Sequence, residues 1–176
     1  MKKIVTCEEM KKLDGATIHH IGVASEVLME RAALKVVEEI EKYLEKNERI
    51  LVVCGSGNNG GDGIAVARLL YLKGIRAEFC MVGNKDKMTR ETVLQYKIAT
   101  GYQVPEVNNP DWSEYTTIVD AVFGVGLVRP IEGHYAEVIH EMNSARAKKI
   151  AVDIPSGVNG DTGLEMGIAF SADLTV

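Results

Sequence analysis

The sequence predicts a doubly wound α/β fold, a mostly parallel β-sheet with helices on both faces. Three observations carry this. First, Ile50–Cys54, Ile75–Val82, Thr116–Phe123 and the stretch from Lys149 to Ile154 are largely apolar runs, as expected of strands covered on both sides rather than wet on one. Second, segments with apolar residues at spacings of three and four lie between them, which is the alternation of a βαβ chain. Third, the first, third and fourth runs pass directly into loops rich in Gly, Asn, Asp and Ser, and in such sheets ligands gather outside the carboxyl ends of the strands. A chain of 176 residues, 46% hydrophobic and 26% charged, suits one domain with a full core.

In chain order, Thr6 is a candidate N-cap for a short helix to Leu13, with Asp14-Gly15 closing it. From Ser25 the apolar residues Val27, Leu28, Ala32, Ala33, Val36, Val37, Ile40 and Leu44 predict a long amphipathic helix ending near Asn47. Glu30 and Arg31 on this helix read as a solvated face, a buried pair being the alternative. Strand Ile50–Cys54 leads through a glycine loop, Gly55–Gly63, into a helix from Ile64 to Leu72 that stops at Gly74. Ile75–Val82 completes the βαβ unit. Thr89 to Thr100 predicts a helix with Gly101 as its stop, Tyr102 to Val107 a short strand, and Asn108 to Asp111 a loop. Strand Thr116–Phe123 is followed by the loop Gly124–Pro130, a helix from about His134 to Ala145, and the strand and turn from Lys149 to Gly157. Ser171 to Val176 opens another strand, so the chain is expected to be one domain over residues 1–176 lacking its last strands or helix.

Composition removes several functions. A formal charge of -5 and a pI near 5.4 argue against a large nucleic-acid footprint. Cys7, Cys54 and Cys80 lack CxxC spacing, which suggests neither a disulfide framework nor a zinc site and fits a reducing cytoplasm. The N-terminus is too short in apolar residues for a signal peptide, and no run could span a bilayer, so a cytoplasmic protein without a membrane partner is expected.

The glycine loop carries the chemistry. Glycines admit close approach of backbone amides to a ligand, and the helix that follows offers free N–H groups at a positive dipole end, a candidate phosphate cradle. Gly55, Gly57 and Gly60 satisfy G-x-G-x-x-G, but the second strand ends Met81-Val82-Gly83-Asn84 without the acidic residue that would hold a ribose. Asp62, read as the helix N-cap, would also put negative charge where a pyrophosphate belongs. An ordinary NAD site is therefore disfavoured, and no Gly-Lys-Ser/Thr follows to make a Walker A loop. A tight turn with an Asp cap explains Asp62 and two glycines, but leaves Asn58, Asn59 and the remaining glycines without a role. Asp120 and Asp153 come late in apolar strands, where a carboxylate must be hydrogen-bonded, metal-paired or shifted in pKa. With Asn59 and Ser156 they form an all-oxygen set drawn from three loops, suited to Mg²⁺ or K⁺ and not to zinc. His19, His20, His134 and His140 have no nucleophile elbow to serve, which disfavours a hydrolase triad.

Gly55-Ser56-Gly57-Asn58-Asn59-Gly60-Gly61-Asp62-Gly63, Asp120-Ala121-Val122-Phe123-Gly124-Val125-Gly126 and Val152-Asp153-Ile154-Pro155-Ser156-Gly157, in this order and separation, resemble the YjeF N-terminal domain family, the NAD(P)H-hydrate epimerases. Leu13-Asp14 and Leu28-Met29-Glu30-Arg31-Ala32 are similar to that family's N-terminal helices, so the resemblance spans nearly the whole chain. It implies a Rossmann-like fold, a homodimer, and interconversion of the R and S forms of hydrated NADH and NADPH (NADHX and NADPHX). It also implies a partner dehydratase, ADP- or ATP-dependent and fused after this domain in many bacteria. By position it implies substrate binding by Asn58, Asn59, Gly60, Gly61 and Asp62, by Gly124, Val125, Gly126, Leu127, Val128, Arg129 and Pro130, and by Asp153. It further implies one K⁺ per subunit, on Asn59, Asp120 and Ser156. Some relatives carry a lysine after Gly124 where this chain has Val128 and Arg129; that lysine's role does not transfer, although Arg129 could pair with a phosphate.

Epimerising C6 of the hydrated ring requires the hydroxyl to leave, as the ring nitrogen forms an iminium, and to return on the other face. Asp153 is the expected acid/base near that hydroxyl, contributing roughly 3 to 5 kcal/mol. Two other readings compete: a non-catalytic dimeric scaffold of the same fold, disfavoured by the intact Asn59, Asp62, Asp120 and Asp153, and an NAD-dependent dehydrogenase, for which no hydride partner is visible.

Overall fold

The computed structural model describes residues 4–44 and 47–176. Five strands form one sheet: β1 (Arg49–Cys54), β2 (Arg76–Met81), β3 (Thr117–Ala121), β4 (Lys148–Ala151) and β5 (Leu174–Thr175). They lie in the order β2-β1-β3-β4-β5, and every pairing is parallel. Helices α1 (Cys7–Ala16), α2 (Ser25–Glu41), α3 (Asn58–Leu72), α4 (Arg90–Gly101) and α5 (His134–Ser144) complete the expected α/β alternation.

Alternate residues of each strand serve two cores. Ile50, Val52 and Cys54 of β1 pack with α2 and α3 through Val36, Val37, Ile40, Ile64 and Leu70. Leu51 and Val53 turn the other way, onto Val138, Ile139 and Met142 of α5. Because β2 lies on one side of β1 and β3 on the other, the chain changes direction at the β1–β3 boundary. The loops after these two strands therefore diverge and leave a crevice at their carboxyl ends, the place where doubly wound sheets bind ligands.

The largest departure from expectation is in the glycine loop. It is not a loop up to Gly63: α3 already begins at Asn58 with Gly57 as N-cap, so Asp62 sits in the second turn and caps nothing. Packing explains the glycines here. A Cβ at position 60 would lie 1.9 Å from the carbonyl oxygen of Gly55, and one at 63 would lie 2.4 Å from the Cβ of Ala121. Without those side chains the first turns of α3 sit directly on the ends of β1 and β3.

Other boundaries move for local reasons. Asp14-Gly15 does not close α1, which starts in a capping box of Thr6 and Glu9 and runs on into a π-helical turn, Thr17–Ile21. The stop is Gly22, at φ 88, and His19 and His20 lie in that turn and not in a loop. Helix α2 ends at Glu41, short of Asn47; residues 45 and 46 of the expected span lie outside the described residues. Glu30 does pair with an arginine, but with the buried Arg68 of α3, while Arg31 is exposed. Helix α4 includes Gly101, and the left-handed residue beyond it is Gln103, at φ 59. The expected strand at Tyr102 to Val107 reduces to a single bridge between Phe79 and Glu106.

Replacing Gly60 by Ala forces a methyl group into the Gly55 backbone, so it is expected to cost about 1–3 kcal/mol of stability, the usual cost of overpacking. Gly57→Ala, with open space at its Cβ, is the control. Urea unfolding midpoints of the two variants should separate clearly.

Candidate functional site

A cavity of about 870 Å³ opens at the carboxyl ends of the strands. Its floor comes from the β1–α3 turn and start of α3 (Asn58, Asn59, Asp62), the loop after β3 (Phe123–Leu127) and the residues after β4 (Val152, Asp153). Its roof comes from α1 and the π-helical turn, through Met10, Lys11, Asp14 and Ile18, and from the start of α2 through Ser25, Leu28 and Met29. The size and largely apolar walls suit a small organic ligand.

Below the floor, Asp120 is fully buried on β3. The Ser156 hydroxyl donates to its Oδ1 at 2.6 Å, the Ser156 amide to its Oδ2 at 2.7 Å, and the Val122 amide to Oδ1 at 3.1 Å. The Phe123 amide donates in turn to Ser156 Oγ at 2.8 Å. This knot fastens the β3 loop to the turn after β4. Burial pushes the Asp120 carboxyl up to about 6, against the pull of those three hydrogen bonds towards the ionised form.

Asp153 occupies the left-handed region, φ 66, a conformation costing a side-chain-bearing residue about 1–2 kcal/mol. Its Oδ2 accepts from the Val125 amide at 2.9 Å. The carboxylate leans across Gly124, where a Cβ would meet Asp153 Oδ2 at 2.5 Å and Asn59 Cγ at 3.3 Å. Loss of solvation raises the Asp153 carboxyl, the Val125 amide opposes the rise, and the charge of Asp14 adds to it.

Asn59 is buried at both side-chain polar atoms, and neither has a hydrogen-bond partner among the described residues. Such an amide costs free energy unless a bound group satisfies it. Asp62 is pushed up to about 7, first by burial and then by the charges of Asp153 and Asp14. Asp14 was missed as a site residue on spacing alone, because Gly15 reads as a stop. Carried through that glycine, Met10, Asp14 and Ile18 recur every four residues on one face, which is the signal that would have found the roof.

Of the residues expected to bind substrate, Asn58, Asn59, Asp62, Gly124, Val125, Gly126, Leu127 and Asp153 all line the cavity. Gly60 and Gly61 lie behind it, buried in helix packing. Val128 lines a smaller adjoining cavity of about 220 Å³ with Cys7 and Asp161, and Arg129 and Pro130 are exposed outside both. All four histidines are exposed and away from the cavity. Among the described residues no group of three or more His, Cys, Asp or Glu could hold a metal, and no helix is long and apolar enough to cross a membrane.

The sequence profile of the YjeF-related protein N-terminus family matches residues 25–176. The chain belongs to this family. Among relatives of this YjeF N-terminal chain are proteins from Limosilactobacillus reuteri, 48% identical over 99% of this chain and 83% of that protein, and Oenococcus oeni, 47% identical over 98% and 83%. One from Limosilactobacillus fermentum is 44% identical over 99% of this chain and 85% of its own. All three are named NAD(P)H-hydrate epimerase. The crystal structure of the yeast protein YNL200c, 23% identical, superimposes with a TM-score of 0.86 over 99% of this chain and 79% of its own, and so shares the fold.

The raised Asp62 has a stability consequence. Between its ordinary 3.8 and about 7 the folded chain holds a proton that the unfolded chain has released, so the stability this carboxyl contributes fades as pH rises through that interval. Asp62→Asn removes the dependence. Its melting temperature should exceed that of the wild type by more at about pH 8 than at about pH 4.5, as read by thermal melts.

Proposed function

We infer that this chain is an NAD(P)H-hydrate epimerase, interconverting the R and S forms of hydrated NADH and NADPH in nicotinamide nucleotide repair. The observation that carries this is identity of 42–48% to proteins of that name along nearly the whole chain. The cavity agrees with it, since a phosphate-bearing nucleotide finds the N-terminal amides of α3 beside Ser56, Gly57 and Asn58, and an apolar wall for its ring. The binding set within the cavity is Asn58, Asn59, Asp62, Gly124, Val125, Gly126, Leu127 and Asp153, with Arg129 meeting a phosphate that extends beyond the cavity.

Asp153 carries the proton chemistry. Its carboxylate faces the cavity from a fixed backbone, aimed by the Val125 amide. As the C6–O bond breaks and the ring nitrogen's lone pair forms the iminium, a carboxyl here can protonate the departing oxygen and later accept a proton from the water that returns. Excluding bulk water under the α1 roof protects the iminium from uncontrolled addition.

The cation of this reading is K⁺, on Asn59, Asp120 and Ser156. Two features support the fit: among the described residues the Asn59 side-chain oxygen has no other partner, and the buried Asp120 carboxylate has no cationic side chain among its hydrogen-bond partners. Asn59, Asp120 and Ser156 would hold the ion, which would supply positive charge to the site and a partner for the Asn59 oxygen. A homodimer, a separate or fused dehydratase and a cytoplasmic location complete the proposal, the last supported by three free cysteines. The retained polar floor favours the enzyme over a scaffold.

Asp153→Asn should lower the epimerisation rate by about 10²–10⁴-fold, measured by chiral chromatography of hydrated NADH with the spontaneous rate subtracted. A rate near that of the wild type would remove Asp153 as the proton carrier. Replacing K⁺ by a bulky organic cation at constant ionic strength should slow the wild type, whereas Asn59→Leu should be slow in both salts.

A further inference from the structure

Epimerisation by loss and return of a hydroxyl makes two proton demands, which a single carboxyl at Asp153 would have to meet in turn. A proton must be delivered on the face the oxygen leaves, and another removed on the face where water enters. The cavity holds a second carboxyl placed for this. Asp62 stands in the second turn of α3, on the segment that follows β1, and Asp153 follows β4, with β3 between those two strands; both line the cavity, close enough for the charge of Asp153 to act on Asp62. Gly124 of the loop after β3 lies between Asp153 and Asn59, where a Cβ would meet Asp153 Oδ2 at 2.5 Å and Asn59 Cγ at 3.3 Å, and it lines the same cavity. Asn59, one helical turn before Asp62, lines the same cavity; its oxygen is assigned above to the cation, and its buried Nδ2 still has no partner among the described residues, a sign that a ligand completes this end.

We propose that Asp62 and Asp153 form a two-carboxyl proton-exchange pair serving opposite faces of the reacting ring, which makes Asp62 a second catalytic residue. This rests on the epimerase reading above. The surroundings divide the roles. Asp153 accepts an amide hydrogen bond that favours its ionised form, while Asp62 has no hydrogen bond or ion pair among the described residues. The charged groups lining the cavity around Asp62 are Lys11 and Asp14 on α1, Lys35 on α2, Glu91 on α4 and Asp153 after β4. Lys35 is committed to Glu38 and Glu39 on its own helix, and Glu91 accepts the Ser25 hydroxyl. Burial with Asp153 and Asp14 nearby keeps a proton on Asp62 to about pH 7.

The steps balance. The C6–O bond breaks with its electrons on oxygen, the nitrogen lone pair becomes the N1=C6 bond, and the Asp62 proton passes to the leaving oxygen, which departs as water. A water on the opposite face adds its oxygen to C6, the N1=C6 pair returns to nitrogen, and the excess proton passes to Asp153. One proton has moved from Asp62 to Asp153; the reverse epimerisation carries it back, and between turnovers in one direction solvent restores it.

The test compares wild type, Asp62→Asn, Asp62→Glu and Asp14→Asn on hydrated NADH across pH, with a run in ¹⁸O-water. Asp62→Asn should lose about 10²–10⁴-fold in kcat with KM changed less than tenfold, and the alkaline fall in kcat/KM should disappear. Asp62→Glu should recover part of the rate. Asp14→Asn, with one negative charge fewer beside Asp62, should move the alkaline limb to lower pH. Enzymatic product should carry one solvent oxygen. The pair is overturned if Asp62→Asn keeps the wild-type kcat and alkaline limb, if it raises KM alone, or if the product keeps its original oxygen. A wild type that does not epimerise overturns the functional reading and the pair together, so the two failures are distinguishable. Thermal melts certify that each variant is folded.

Discussion

Asp120 has no access to solvent, and the geometry above it depends on how that carboxylate is satisfied. An ionised group at such depth costs several kcal/mol unless hydrogen bonds or a counter-charge compensate. Here Ser156 supplies two donors and Val122 one, and the same Ser156 oxygen receives the Phe123 amide. Two loops from neighbouring strands are thereby locked in register. The rigid β3 loop then presents the Val125 amide to Asp153, so the buried aspartate sets the aim of the exposed one.

The second constraint is steric. Helix α3 reaches the strand ends only because Gly60 and Gly63 have no side chains, and the same closeness brings Asn59 and Asp62 over the crevice. The glycines thus act through packing more than through contact with ligand. The polar residues between them face the cavity. One short segment performs both tasks because a helix turns consecutive residues to different sides.

Much of this was legible in the sequence. Unbroken apolar runs gave a parallel sheet, and their polar ends gave Asn59, Asp120, Asp153 and Ser156, of which Asp120 and Ser156 are hydrogen-bonded to each other and Asn59 and Asp153 line one cavity. Three features were hidden for physical reasons. Glycine usually breaks helices, so the helical start at Asn58 and the passage of α1 through Gly15 ran against propensity. Tertiary packing overrode it at Asn58, where the close approach to Gly55 and Ala121 requires glycine. The Glu30–Arg68 pair joins residues far apart in sequence, beyond the reach of any local pattern. The absence of a ribose-holding acid after β2, by contrast, is readable directly from the order Met81-Val82-Gly83-Asn84.

The roof and floor of the cavity differ in how they are held. The floor is anchored to β1 and β3, which are almost wholly buried, whereas α1 buries none of its residues and is tied to the rest through contacts such as the Cys7 amide on Asp161. Segments with few buried contacts open at a small fraction of the global unfolding free energy. The roof is therefore the natural door, lifting without disturbing the carboxylates beneath. A ligand touching both surfaces would lend the sheet's rigidity to α1, so that occupancy of the site and order of the N-terminal helix rise together.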